Sequence, residues 1–204
     1  MKIRSTVCAI ALGALAAMPT FASTDAVNAS TVSSTLAVNV NVVKAIRLTL
    51  ATGTQCAVSA GSNTDFTMNF GTVDALGISA VTCGGKYAPA VPGTDAAKYY
   101  SDYTLTPVFS SQASMTGTIS AYVSTDFTTA AGLLSVVQNN TLPGSAAALT
   151  PMSLSNVSQT SIGASLVNNA AVTRYIGVAV APLNGAGTLT GAAAATVTYT
   201  LTAP

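Results

Sequence analysis

The chain has 204 residues, carries only seven Lys and Arg against six Asp, and contains no Glu, His or Trp. A net charge of +1 with charges this sparse leaves no basic stripe for nucleic acid and no polybasic patch for a membrane surface. It also leaves few groups for acid–base chemistry, and a surface of Thr, Ser, Asn and Ala offers little charge repulsion between copies.

The chain opens like a secretory signal. Lys2 and Arg4 precede an apolar stretch from Val7 to Ala17, and Thr20-Phe21-Ala22 is a small-x-small cleavage site. Residues 1–22, with Cys8, are therefore excluded from the expected fold. No later apolar run reaches the length needed to span a bilayer as a helix. The remaining chain, about 180 residues, suffices for one all-β domain with a real core. Export leaves Cys56 and Cys83 as an even pair in an oxidising compartment, where a disulfide is expected. Closing that loop restrains the unfolded chain by about 3.5 kcal/mol on the chain-entropy model.

Residues 23–34 are small and polar. Leu36, Val38, Val40 and Val42 then alternate with Ala37, Asn39 and Asn41, the pattern of a strand with one apolar edge. Such a strand can pair within its own sheet or be lent to a neighbouring molecule. We divide the chain into a signal (1–22), a leader with candidate donor strand (23–43) and a β-sandwich domain (44–204). Within the last, Ile46, Leu48 and Leu50 continue the alternation, and Gly53 marks a turn. Phe66, Met68 and Phe70 alternate toward Gly71, and Ile78–Cys83 reads as a short strand. Residues 84–93 read as a loop.

Tyr103, Leu105 and Val108-Phe109 follow, with Pro107 predicting an edge strand or a bulge. Gly117–Ser124 and Leu133–Gln138 are further strands, and 139–151 a second loop in which Ala146–Ala148 could form a helical turn. Met152–Val157 and Val172–Ala181 come next, the latter with Ile176, Val178 and Val180 on one face. Gly185-Ala186-Gly187 suggests a hairpin before the last strand. That strand turns Val197, Tyr199 and Leu201 to one side and threonines to the other. Short strands at regular spacing predict an antiparallel sandwich.

Motifs of catalysis are missing. Gly77-Ile78-Ser79-Ala80-Val81 fails the nucleophile-elbow pattern at its last position, and there is no C-x-x-C, calcium loop or zinc ligand set. An enzyme, a cofactor and a metal are not expected. Three Asn-x-Ser/Thr triplets, at Asn28, Asn139 and Asn156, are of the number chance supplies in so Ser/Thr-rich a chain. Tyr99, Tyr100 and Tyr103, beside Lys98 and Asp102, read first as a strand packing one face inward and second as a sugar- or surface-binding patch.

Three blocks, Cys56-Ala57-Val58-Ser59-Ala60, Asn69-Phe70-Gly71-Thr72-Val73-Asp74 and Val81-Thr82-Cys83, resemble the N-terminal half of the spore coat protein U family and of archaic chaperone–usher pilins. The closing Val197-Thr198-Tyr199-Thr200-Leu201 is similar to the last strand of those subunits. Leu36–Leu50 also resembles the start of alternate chaperone–usher fimbrial subunits. The resemblance implies an immunoglobulin-like sandwich that lacks one strand. It implies a structural subunit of a bacterial surface pilus or fimbria, with roles in adhesion or biofilm. Its partners would be a periplasmic chaperone, an outer-membrane usher and other copies of the chain. It assigns the donor strand to Leu36, Val38, Val40 and Val42, and export to the cell surface. A monomeric secreted or surface binding module is the alternative.

Overall fold

The chain divides into two units, Met1–Val43 and Lys44–Pro204. The computed structural model describes residues 45–55, 59–60, 66–110, 115–127, 132–182 and 192–204, all in the second. The candidate donor strand, Leu36 to Val42, and the predicted Gly185–Gly187 hairpin lie outside the described residues.

The described residues form eleven strands: β1 (Ile46–Thr52), β2 (Ser59–Ala60), β3 (Phe66–Thr67), β4 (Gly85–Tyr87), β5 (Ala97–Phe109), β6 (Thr116–Thr125), β7 (Leu134–Asn139), β8 (Thr150–Pro151), β9 (Thr160–Val167), β10 (Val172–Val180) and β11 (Thr196–Thr202). A larger sheet has the order β1-β5-β10-β7-β8, with β4 also on β5, and a smaller sheet has the order β11-β6-β9. β2 and β3 pair only with each other. Every pairing is antiparallel. The protein is an all-β antiparallel sandwich.

Alternation builds the core. Along β6, Ile119, Ala121 and Val123 are buried while Thr116, Thr118 and Ser124 are exposed. They meet Tyr103, Leu105, Val136, Ile162, Leu166 and Val178 from the neighbouring strands in one apolar cluster. Burying a side chain of this class is worth about 1.5–3 kcal/mol, which is what holds the two layers face to face.

β5 is the spine. β10 pairs with Ala97–Leu105 along one edge. On the other edge β1 takes Tyr103–Phe109 and β4 takes Lys98–Tyr100, so β1 and β4 lie end to end. Pro107, expected on an edge strand, therefore stands in a central one. It is tolerated because β10 begins opposite Leu105. Beyond that point the β9–β10 turn takes over: Asn169 N donates to Pro107 O at 2.8 Å, and Asn168 Oδ1 accepts from Phe109 N at 2.9 Å. The missing proline N–H costs no ladder bond there.

Four sequence expectations need correction. Ile78–Cys83 is not a strand but a loop wound around Asp74. Residues 84–93 contain β4. Met152–Val157 is a connection without strand structure. β9 was not expected at all. Its clean alternation is lost because Ile162 and Gly163 are both buried, Ala164 and Ser165 are both exposed, Ser165 adopts φ 55°, and the pairing with β6 changes register there. The turn at Ala146–Ala148 is present, as a single 3-10 turn.

Candidate functional site

The two sheets are joined differently on their two sides. On one side, residues 152–159 pass directly from β8 in the larger sheet to β9 in the smaller. Met152 N donates to Val136 O at 2.9 Å and Val123 N donates to Ser153 O at 2.8 Å, so this connection is bonded to both sheets. On the other side, β1 ends one sheet and β11 ends the other. Among the described residues no strand bridges them.

The inward side chains along this second side are Leu48 and Leu50 from β1 and Val197, Tyr199 and Leu201 from β11. All five pack on the core yet are only half-buried. The residues directly behind them, Leu105 and Phe109, are 0% and 2% exposed. Among the described residues the core is thus sealed one layer in and uncovered at its margin. An open cavity of about 400 Å³ lies at one end of this seam, lined by Ile46, Leu201, Thr202 and Ala203. Ile46 is 56% exposed although it continues the apolar row of β1. β1 therefore begins where β11 ends, and the two strands face each other in opposite directions.

Tyr103 and Tyr199 meet behind the seam with ring centroids 5.9 Å apart. Burial pushes the Tyr199 hydroxyl up to about 12 and that of Tyr103 well above its ordinary value. Both phenols stay neutral, and among the described residues the buried Tyr103 hydroxyl has the Tyr199 hydroxyl as a polar neighbour, outside good hydrogen-bond geometry. The floor of the groove is apolar, with the Arg174 guanidinium acting on Tyr103 from the neighbouring strand β10.

Two aspartates fix its frame. The Asp102 carboxylate, 5% exposed on β5, accepts from Thr54 N at 2.7 Å, Thr54 Oγ1 at 2.9 Å and Gln55 N at 3.0 Å. Burial pushes its pKa up, but these bonds outweigh burial and hold it below the usual carboxylate range. They pin the end of β1 to β5. Gly53 is required here, since a Cβ would collide with the Asp102 carboxylate. Asp74 does the same for the next loop. Its carboxylate accepts from Leu76 N at 2.7 Å, Ile78 N at 3.1 Å, Ser79 N at 2.5 Å and the Tyr99 hydroxyl at 3.0 Å. Burial again opposes ionisation, and the Ser79, Ile78 and Leu76 bonds reverse it, leaving Asp74 well below its ordinary value. Lys86 Nζ closes the loop by donating to Ser79 O at 2.7 Å.

Cys83 is 4% exposed and its sulfur is bonded as a disulfide; the partner cysteine lies outside the described residues. Gln55, the residue before Cys56, is held by Asp102. Gly84, the residue after Cys83, has φ 75° and lies so close to the Tyr100 carbonyl that a Cβ would overlap it. The neighbours of both cysteines thus border β5 two residues apart, at Asp102 and Tyr100.

The predicted tyrosine patch is divided by the pleat. Tyr99 and Tyr103 are buried at 1% and 4%. Tyr100 faces outward, stacked on Tyr87 at 5.4 Å and edge-on to Tyr175 at 6.4 Å. Lys98 donates to Ala146 O at 2.8 Å and Leu149 O at 2.7 Å, with its pKa lowered by burial, and Tyr87 donates to Pro143 O at 2.7 Å. Tyr87 and Tyr100 join Val137, Leu149 and Ala179 in a second, small core. In the sequence, Asp74 stands in a family-like block and Asp102 beside the tyrosine patch, and neither is assigned a bracing role there. A signal for Asp74 was present in Asp74-Ala75-Leu76-Gly77, a turn former with glycine three residues on.

Among the described residues no group of three or more His, Cys, Asp or Glu could hold a metal, and no helix is long and apolar enough to cross a membrane. No protein-family model matches the chain, and the comparisons with curated proteins and with solved structures give no match.

Proposed function

We propose that the chain is a structural subunit of a surface fibre, and that the seam between β1 and β11 receives a β-strand from a second copy. The observation that carries this reading is the half-buried row Leu48, Leu50, Val197, Tyr199 and Leu201 beside an open cavity, at the one sandwich margin without a connection among the described residues. A strand added there would complete both sheets' unpaired edges with backbone bonds and fill the groove with alternate side chains. Leu36, Val38, Val40 and Val42 have the required alternation. Burying the four is worth about 6–12 kcal/mol before ordering costs are subtracted.

Direction favours donation over self-filling. A strand antiparallel to β11 runs the same way as β1. The three residues between Val42 and Ile46 span at most about 14 Å, whereas β1 is about 23 Å long. Residues 36–42 of the same chain therefore cannot run alongside β1 in its own direction, and that orientation requires a second molecule. Antiparallel pairing with β11 is the more stable ladder. On this reading the sandwich is immunoglobulin-like with one strand missing. A periplasmic chaperone would occupy the groove before assembly, and an outer-membrane usher would exchange it. The Cys56–Cys83 disulfide belongs to the same proposal, and the convergence of Gln55 and Gly84 on β5 supports it.

The test is Val40→Asp, examined by electron microscopy and by non-dissociating gel electrophoresis of surface extracts. A donated strand gives a subunit that accumulates with its chaperone but does not polymerise, because a carboxylate cannot enter an apolar groove unpaired. Fibres of wild-type length from Val40→Asp would refute donation. Loss of the subunit itself would make the strand internal.

A further inference from the structure

The charged residues of this protein are segregated between its two sheets. The larger sheet carries Arg47, Lys86, Lys98, Asp102 and Arg174, whereas β6, β9 and β11 carry none; Asp126, just past β6, bonds the neighbouring Phe127 N–H. Threonine on strands is explained by β-propensity. Propensity does not explain an uncharged outer face on a sheet whose end strand, β11, is the place where lysine usually guards against unwanted pairing.

The outward residues of this sheet stand in register. Thr202 lies opposite Thr118, Thr200 opposite Ser120 and Thr198 opposite Tyr122. Thr118, Thr200 and Thr202 are exposed, and among the described residues their hydroxyls have no hydrogen-bond partner. Tyr122 sits among them, half-buried, and its ring meets no other ring among the described residues.

We propose that this face binds a neutral polysaccharide laid along the strands. Ser120 and Thr198 donate within the protein, to Gln159 Oε1 and Ser124 Oγ, but the Thr118, Thr200 and Thr202 hydroxyls can each both donate and accept, which suits a partner made of hydroxyls. The Tyr122 ring offers an apolar surface to the C–H face of a sugar, with its own hydroxyl as a polar handle. The lack of charge removes the attraction that a polyanion would need. A second copy of the same face would bury hydroxyls against hydroxyls and gain little apolar contact. β11 extends for about 23 Å, so an extended polymer several sugar rings long fits the row. The proposal does not depend on strand donation, since the inward and outward faces of β11 are used separately.

The experiment is co-sedimentation of the purified chain with microcrystalline cellulose and with insoluble chitin, alongside heparin beads. The chain should pellet with at least one neutral polymer. Retention should persist in about 1 M NaCl, where the Debye length is only about 3 Å. Tyr122→Ala and Thr200→Lys should each weaken retention by roughly tenfold, the scale of one lost aromatic contact or one blocked row. Thr173→Lys, exposed on the other sheet, should bind as wild type, and circular dichroism melts should show all three variants folded. The proposal is overturned if the chain stays in the supernatant with both polymers, or if Tyr122→Ala and Thr200→Lys bind undiminished. Equal loss in Thr173→Lys, retention only on heparin and only at low salt, or a dimer that Thr200→Lys dissolves would overturn it as well.

Discussion

The two margins of the sandwich use the same kind of residue to opposite ends. At the β8–β9 margin the chain itself crosses between sheets, backbone bonds tie the crossing to β6 and β7, and Leu166 is 5% exposed. Arg174 adds a cross-sheet link by donating to Ile162 O at 2.6 Å. At the β1–β11 margin Leu48, Leu50 and Leu201 contact the core as well, but nothing described covers them. The β9 edge is also guarded by the Ser165 irregularity, which bends the strand away from a flat ladder. β1 and β11 have one recorded irregularity between them, at Thr196/Val197, near the start of β11. Edge protection is concentrated on the side that needs no partner. On the proposed reading, that asymmetry would direct strand addition to one place without any specific recognition motif.

The sharpest way to break the comparison is to remove one wall of the groove. Deleting residues 196–204 exposes the inner face of β6, and periplasmic accumulation measured by immunoblot should be abolished. Normal levels would mean that β11 is dispensable. Next comes a matched pair. Leu166→Ala at the closed margin should cost the isolated subunit about 2–5 kcal/mol by denaturant titration. Leu201→Ala should cost it clearly less, about 1 kcal/mol, because the side chain is only half-buried. In assembled fibres the Leu201→Ala cost should rise into the range of the first. Equal costs in the isolated subunit would erase the difference between the margins.

A smaller effect concerns the frame. Asp102→Ala leaves the Thr54 and Gln55 N–H groups without their acceptor, at a cost of about 1–3 kcal/mol. The acid dependence has a definite sign. Asp74 and Asp102 have folded pKa values below their unfolded ones, so their contribution is present above about pH 4 and is lost as pH falls through the folded values. Thermal melts should show a steep drop in stability below about pH 4, shallower in Asp102→Ala. Smallest of all, Val157→Ser changes a side chain that is 89% exposed on the closed margin, and it should move stability by less than about 0.5 kcal/mol.

Much of the fold was legible where a strand alternates cleanly. β6, β10 and β11 follow the residues that announced them, and Ile176 and Val178 share a buried or half-buried inner face as expected. The inward row of Val197, Tyr199 and Leu201 was legible for the same reason. β9 was not, because the small residues Gly163-Ala164-Ser165, the last of them left-handed, interrupt the apolar alternation between Ile162 and Leu166. The Ile78–Cys83 segment has strand-like composition, but Asp74 draws its N–H groups inward before they can join a ladder. Tyr100 was grouped with Tyr99 and Tyr103 by proximity in sequence, while the pleat sends it to the opposite face. Contacts between distant strands, such as Asp102 with Thr54, leave no local pattern to read.

The aspartates that brace the frame have a consequence for the molecule as an electrolyte. Asp74 and Asp102 hold their charge further into acid than free carboxylates, the chain has no histidine or glutamate, and Cys83 does not titrate. Tyr99, Tyr100, Tyr103 and Tyr199 are all displaced upward. None of these side chains therefore changes its charge near neutral pH. On the proposed reading, a fibre surface built from such units would keep these particular charges whether its surroundings are mildly acid or mildly alkaline.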